Sequence, residues 1–253
     1  MNPQNLLQRL DAIGHSLSES GHALALIGLG SVGLELERLD AHSDLDFFVV
    51  VEPGRKRPYL SELGWLSRVH PISYAFANTA DGYKLLFADG VFCEFAVFEP
   101  DQLHAVPFSP GRIVWARSDA PASLGQPLKK PVRPEPRDPD WLLGEALTNL
   151  YVGLARAKRG EVLSATRFIQ GYAVDRALEL AGLVEEARAV GEDAFAPERR
   201  FERRFPGLAA RVAAWMQGYE RNRESALALL DFLERHFEVP ASMAAAIRER
   251  CTR

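Results

Sequence analysis

The sequence predicts an α+β fold, in which a domain built around a mixed sheet precedes a bundle of helices. Short apolar runs rich in β-branched and aromatic residues lie before residue 120 and are typical of strands. After residue 140, apolar residues recur at helical spacing. A proline-rich stretch without an apolar period separates the two parts. We therefore expect a sheet domain at 1–120, a linker or wrapping segment at 121–140 and a helical bundle at 141–253.

The composition is that of a soluble globular protein. The chain has 253 residues, of which 47% are hydrophobic and 25% are charged, which allows one large domain or two ordinary ones. The net charge is −4, and residues 1–130 hold this excess, with 11 Lys and Arg against 15 Asp and Glu. This balance disfavours a nucleic acid as partner, because proteins that bind one usually present a basic face. The two cysteines have no spacing typical of a disulfide framework or a metal site.

The N-terminal segment has no features of a targeting signal. Its first residues, MNPQNLLQRLDAIG, include Arg9 and Asp11 and no long apolar stretch. No apolar segment reaches the length that spans a membrane. We therefore expect a cytoplasmic protein without a membrane partner, and the sequence does not indicate an oligomeric state.

The first half is predicted to alternate strands with short helices. ALALIGL at 23–29 and DLDFFVVV at 44–51 predict buried strands. Two apolar runs at 83–98 flank Asp89-Gly90, a pair that favours the type I′ turn of a two-residue hairpin. The other expected elements are a helix at 4–18, one or two helical turns at 31–39, a helix at 59–69 and strands at 72–78 and 112–117.

The second half is predicted to be helical throughout. Leucine and alanine residues of 141–158 fall on one broad face of a helix. Four further helical stretches are expected at 162–183, 207–218, 221–237 and 241–250.

Asp44 and Asp46 form a pair of carboxylates at the start of the second predicted strand. Residues i and i+2 of a strand point to the same side, so both side chains face one way. Their repulsion is a cost that a cation or a proton relieves. Magnesium suits the pair, because it binds one or two carboxylates and leaves positions for phosphate oxygens.

Glu94 is a single carboxylate within the apolar second strand of the predicted hairpin. Burying it is costly unless it is paired, for instance with an arginine, or binds a metal. If its strand lies beside that of Asp46, the three carboxylates can form a cluster that holds two cations. Glu99 is the rival third ligand, although a solvated carboxylate at the end of a strand needs no special explanation.

Gly30 and Ser31 stand between a predicted buried strand and a short helix. Glycine lets backbone approach a phosphate closely, and the serine hydroxyl and nearby N–H groups can bond phosphate oxygens there. Lys84, on the first hairpin strand, is a candidate for phosphate contact or for protection of a sheet edge.

The order and spacing of these residues resemble the motif of the nucleotidyltransferase superfamily with a DNA-polymerase-β-like palm. That motif is a hydrophobic residue, Gly, then Gly or Ser, a gap of roughly nine to thirteen residues, and Asp-hydrophobic-Asp/Glu-hydrophobic. Here Leu29-Gly30-Ser31 is followed, after twelve residues, by Asp44-Leu45-Asp46-Phe47. The family's third carboxylate comes from a later strand, and Glu94 fits that place. The resemblance covers residues 20–100, approximately.

This resemblance implies a magnesium-dependent enzyme that transfers a nucleoside monophosphate and releases pyrophosphate. ATP is the usual donor in the family, and other nucleoside triphosphates stay open. A helical bundle after the palm is similar to the small-molecule branch, which includes the aminoglycoside and lincosamide nucleotidyltransferases of antibiotic resistance. The implied acceptor is therefore a hydroxyl of a small molecule, antibiotics included, that the bundle binds. Glu94, Glu145 and Glu161 are the candidates for the general base.

Two other functions stay open at this point. The acceptor can be a protein hydroxyl or an RNA end, although the acidic first half disfavours RNA. The chain can also be a non-catalytic module of this fold, antitoxin-like or regulatory. The presence of all three expected carboxylates and of the Gly-Ser turn disfavours that function.

Overall fold

The computed structural model describes residues 2–129, 135, 137–190, 193, 196 and 198–252. Contacts divide the chain into two compact units, Met1–Val132 and Arg133–Arg253. The described residues form an α+β structure with a mixed sheet, which confirms the predicted class. Among the helices of these residues, none has both the length and the apolar character needed to cross a bilayer.

The sheet of the first unit contains six strands within the described residues. Its order is β3-β4-β5-β2-β1-β6, so β3 and β6 form the two edges. Strands β2 and β5 are parallel, and every other neighbouring pair is antiparallel. The strands are β1 (Ala23–Gly28), β2 (Leu45–Val51), β3 (Ile72–Ala77), β4 (Gly82–Phe87), β5 (Phe92–Phe98) and β6 (Arg112–Ala116).

Apolar cores lie on both faces of this sheet. Phe47 of β2 belongs to the larger core, together with Leu10 and Trp65 from the helices that cover this face. The next residue, Phe48, points to the opposite face and packs against a smaller core that contains Leu124. The helices of the first unit are α1 (Pro3–Ser18), α2 (Lys56–Ser61), α3 (Gly64–Ser67) and α4 (Pro100–Ala105).

The helix predicted at 59–69 is wrong, because the chain forms the two short helices α2 and α3 instead. Glu62 between them is extended, with φ −129° and ψ 104°. This break turns Trp65 into the core, where its indole Nε1 donates to the carbonyl of Tyr59 at 3.0 Å. Burial of the tryptophan therefore overrides the continuous helical pattern.

The hairpin of β4 and β5 forms as predicted, but its turn type is different. The amide of Gly90 donates to Phe87 O at 3.0 Å, and Phe87 N donates to Val91 O at 2.9 Å. A type I′ turn needs positive φ at both central residues, and Asp89 is not among the residues of positive φ. Gly90 alone takes that conformation here, with φ 87°, so the loop has three residues rather than two.

The described residues of the second unit are mainly helical. The continuous helix predicted at 162–183 is interrupted by a π-helical segment, Arg167–Tyr172. Gln170 in this segment is buried, and its amide bonds to both the N–H and the carbonyl of Gly218. The helices are α5 (Pro139–Lys158), α6 (Val162–Thr166), α7 (Ala173–Glu179), α8 (Phe201–Arg204), α9 (Pro206–Trp215), α10 (Asn222–His236) and α11 (Ala241–Cys251).

The segment predicted as a linker contains ordered structure at its start. Ala122–Gly125 form a single helical turn, and the side chain of Leu124 is buried. Gly111 N donates to Gly125 O at 2.8 Å, which joins this turn to the residues before β6. Residues 130–134 and 136 of the segment lie outside the described residues.

Candidate active site

Asp46 and Glu94 lie side by side on the sheet of the first unit. They are direct register partners on the parallel strands β2 and β5. Neighbouring strands are about 4.8 Å apart, and residues in register share a face. Leu45 and Cys93, partners one residue earlier, are fully buried on the opposite face, whereas Asp46 and Glu94 are half-buried. The two carboxylates therefore lie on a face that the helices leave partly open.

Asp44 lies immediately before β2 and is half-buried, like Asp46. A tight turn precedes it, in which the Asp40 carboxylate accepts hydrogen bonds from His42 N at 2.8 Å and Ser43 Oγ at 3.2 Å. The backbone N–H of His42 is the main cause that holds the pKa of Asp40 below its usual value. This turn sets the direction in which the chain enters the strand.

The charges of both aspartates reach the buried thiol of Cys93. The pKa of Cys93 is raised to about 12, mainly by burial among apolar side chains. The negative charges of Asp46 and Asp44 add to this rise. The two aspartates therefore form one acidic region at the start of β2. The thiol itself stays protonated at neutral pH and is not a nucleophile.

The turn at Gly30 and Ser31 begins where β1 ends and lies next to β2. Leu29 N donates to the backbone carbonyl of Asp46 at 2.8 Å, which joins the turn to the acidic strand. Gly30 has φ 51°, in the left-handed region that favours glycine. A Cβ atom on Gly30 would meet no atom within 4 Å, so the space outside this residue is open. Backbone at this position is accessible to a ligand.

Glu94 has two polar neighbours on the same face. Asn78 Nδ2 donates to Glu94 Oε1 at 3.0 Å, and Lys84 Nζ lies 3.3 Å from Glu94 Oε2. Lys84 is the register partner of Glu94 on β4, which is an inner strand, so the alternative that Lys84 protects a sheet edge is wrong. It lies on the far side of Glu94 from the Gly30 turn, three strands from β1.

Asn78 is a site residue that the sequence reasoning missed. It follows β3, and its half-buried side chain reaches Glu94 across β4. Its Oδ1 atom is buried and accepts no hydrogen bond from the described part of the chain. A polar residue at the end of the apolar run ISYAFAN was the signal that could have identified it.

Glu99, the rival third ligand, lies away from the acidic region. It comes five residues after Glu94, or about 16 Å further along the strand direction. Its carboxylate accepts a hydrogen bond from Gly54 N at 2.9 Å, beyond the far end of β2. The basic run at 55–57 lies at that end too, where Lys56 bonds to Asp81 and to Gln102. The structure therefore does not bring these residues to Asp46.

Glu145 and Glu161, the other candidates for a general base, belong to the second unit. Glu145 is half-buried on α5. Glu161 is exposed and accepts a hydrogen bond from Arg159 Nε at 2.9 Å. This bond holds the pKa of Glu161 below its usual value, which makes the carboxylate a weaker base.

The donor atoms of the acidic region suit magnesium, but a cluster of three ligands is not assembled. Within the described ranges, no group of three or more His, Cys, Asp or Glu side chains is placed to hold a metal ion. The Glu94 side chain contacts Asn78 and Lys84 instead. Magnesium needs only one or two carboxylates when phosphate oxygens and water fill its other positions, so Asp44 and Asp46 fit it by chemistry.

Comparison with known proteins does not establish a family for the chain. No family model matches it, and no curated protein matches its sequence. Among solved structures, an aminoglycoside 6-adenyltransferase from Bacillus subtilis is similar, with 12% sequence identity and a TM-score of 0.34. The match covers 96% of this chain and 90% of that one.

Proposed function

We propose that this protein transfers a nucleoside monophosphate from a nucleoside triphosphate to a hydroxyl of a small molecule and releases pyrophosphate. One observation carries the proposal: the Asp46–Glu94 register pair lies directly beside the open turn at Gly30. Such a neighbourhood combines an anion-binding turn with carboxylates on one sheet face. Both parts are needed to bind a metal–triphosphate complex and to act on its α-phosphorus.

The Gly30 turn is the proposed binding site for the leaving phosphates. The open space outside Gly30 admits a phosphate group close to the backbone. The hydroxyl of Ser31, the next residue, is available at the same turn to donate to a phosphate oxygen. We infer that the turn holds the β- and γ-phosphates of the donor, with ATP as the expected donor.

Asp44 and Asp46 are the residues that would hold magnesium. When bound, magnesium supplies positive charge that offsets the charge developing on the phosphate oxygens. The parallel register of β2 and β5 keeps Glu94 next to this position without making it an obligatory ligand.

Glu94 is the proposed general base. The hydrogen bond from Asn78 holds its carboxylate in one orientation. This carboxylate accepts the proton of the acceptor hydroxyl, whose oxygen forms a bond to the α-phosphorus. The bond from that phosphorus to its bridging oxygen breaks, and pyrophosphate leaves with the electron pair.

The test is release of pyrophosphate from a mixture of nucleoside triphosphates with magnesium. It is run without acceptor and with three sets of acceptors: hydroxyl-bearing small molecules including antibiotics, a protein extract, and total RNA. We expect release with members of the first set, and release slower by a factor of about 100 or more from the Asp46→Asn variant. Release only with protein or RNA would identify a macromolecular acceptor. If no set gives release and ATP with magnesium does not raise the melting temperature, the protein is a non-catalytic module.

A further inference from the structure

A row of side chains crosses the sheet of the first unit from Asp46 to the edge strand. Asp46 is the register partner of Glu94, Glu94 of Lys84, and Lys84 of Phe76 on β3. Residues directly opposite each other on neighbouring strands share a face, so all four side chains lie on the open face. Phe76 is two strands from Glu94, a separation of about 10 Å.

The row ends in two exposed aromatic side chains. Phe76 is 52% exposed, and Tyr74, two residues earlier on the same face, is 57% exposed. Their neighbours across the sheet on this face, Leu86 and Phe92, are half-buried and continue the apolar surface toward Glu94. Exposed aromatic residues side by side on an open face are typical of a binding surface rather than of a core.

Lys84 disfavours a cationic group at the β3–β4 end of this surface. Strands β3 and β4, both described in full, contain no Asp or Glu, and their charged residue is Lys84. A cationic group placed over β3 and β4 would therefore approach Lys84, whereas the carboxylates of the row lie on β5 and β2. A neutral or anionic ligand with a flat ring suits the surface better.

The strand order indicates which reactant approaches over this surface. The Gly30 turn follows β1, whereas Phe76 lies on β3, so the two are on opposite sides of Asp46 and Glu94. In an in-line displacement the attacking and the leaving oxygens are on opposite sides of the phosphorus. If pyrophosphate leaves toward the Gly30 turn, as in the proposed function, the acceptor approaches over β4 and β3.

We propose that Tyr74 and Phe76 bind an aromatic or heteroaromatic ring of the acceptor that carries no cationic group, and that the reactive hydroxyl of the acceptor lies about 10 Å from that ring. The hydroxyl end of the acceptor then reaches Glu94 and Asn78. This inference rests on the proposed function and names its class of substrate.

The test uses the full chain with magnesium and α,β-methylene ATP, which binds without transfer. Binding of 4-nitrophenyl glucoside, methyl glucoside and kanamycin is measured by ligand-observed NMR. We expect the aryl glucoside to bind about tenfold more tightly than the methyl glucoside, and kanamycin to bind no better than the methyl glucoside. The Tyr74→Ala/Phe76→Ala variant should lose the aryl preference. Phe76→Leu should lose part of it, because leucine keeps an apolar side chain but has no ring.

The matched control is Tyr172→Ala, which removes an aromatic side chain that is 46% exposed in the second unit. This variant should keep the aryl preference. No preference in the wild-type protein, equal loss in the control, or tighter binding of kanamycin would overturn the inference. Weaker binding of the ATP analogue in the Tyr74→Ala/Phe76→Ala variant would overturn it too and assign the rings to the nucleobase. If the wild-type protein does not bind the ATP analogue with magnesium, the proposed function fails instead.

Discussion

Leu29 donates its backbone N–H to the carbonyl of Asp46 at 2.8 Å, and Asp46 is at the same time the register partner of Glu94. The backbone of Asp46 thus adjoins both the Gly30 turn and β5, the strand that carries Glu94. These contacts use main-chain atoms, so replacing the side chain of Asp46 or Glu94 leaves them in place. Variants at these positions should therefore report on chemistry rather than on folding.

Asp44→Asn or Asp46→Asn should lower turnover by a factor of about 100 or more, because a group that stabilises transition-state charge is lost. The melting temperature should stay within a few degrees of wild type, since the loss of one carboxylate relieves the repulsion between like charges in the acidic region. Steady-state rates and thermal melts measure the two effects. A variant with a near-wild-type rate in magnesium would contradict the metal assignment.

Glu94→Gln should lower turnover by at least about 100-fold, because glutamine cannot accept the proton of the acceptor hydroxyl. Stability should change little, since the pair with Lys84 is close to half exposed on both sides and such pairs contribute about 0–1 kcal/mol. Turnover number and melting temperature are measured on the same sample.

Glu99→Gln is the matched control for Glu94→Gln. Glu99 directly follows β5, at the end of the strand that is far from the acidic region. The substitution weakens the hydrogen bond from Gly54 N and should leave the rate per folded molecule unchanged. A loss of rate in Glu99→Gln with normal turnover in Glu94→Gln would move the third carboxylate to Glu99.

Magnesium and ATP should raise the melting temperature together by more than the sum of their separate shifts. Each ligand supplies part of the other's binding site, so their binding free energies are coupled. Thermal melts with each ligand alone and with both measure the coupling. The coupling should disappear in Asp46→Asn, and additive shifts in the wild-type protein would count against a shared site.

Gly30→Ala should weaken ATP binding strongly while costing only about 1–2 kcal/mol of stability. The stability cost comes from the left-handed backbone, with φ 51°, because a Cβ there meets no protein atom within 4 Å. The loss of binding comes from the methyl group, which occupies the space proposed for phosphate. Titration calorimetry with ATP and magnesium measures the affinity.

Gly54→Ala separates these two effects. Gly54 also has a left-handed backbone, with φ 77°, and open space around its Cβ position, but it follows the far end of β2. It should lose a similar amount of stability and bind ATP normally. Equal losses of affinity in both variants would remove the Gly30 turn from the phosphate site.

The sequence by itself determined the strands and the order of the chemical groups along the chain. The runs at 23–29 and 44–51 form β1 and β2 because alternating or continuous apolar residues are a local property of the chain. The partial exposure of Asp46 follows from its place at the start of an apolar run. The hairpin around Asp89-Gly90 was predictable, whereas its turn type depends on which backbone groups of Phe87 and Val91 pair.

Only the tertiary structure decided which side chains meet. Asp46 and Glu94 are 48 residues apart, and the register that joins them depends on how the cores on both faces pack. The contacts of Glu94 with Asn78 and Lys84, and the exposure of Phe76, depend on the position of β4 and β3 beside β5. Periodicity shows which face of a strand is apolar, but a strand's neighbour and register are selected by the free energy of the whole sheet.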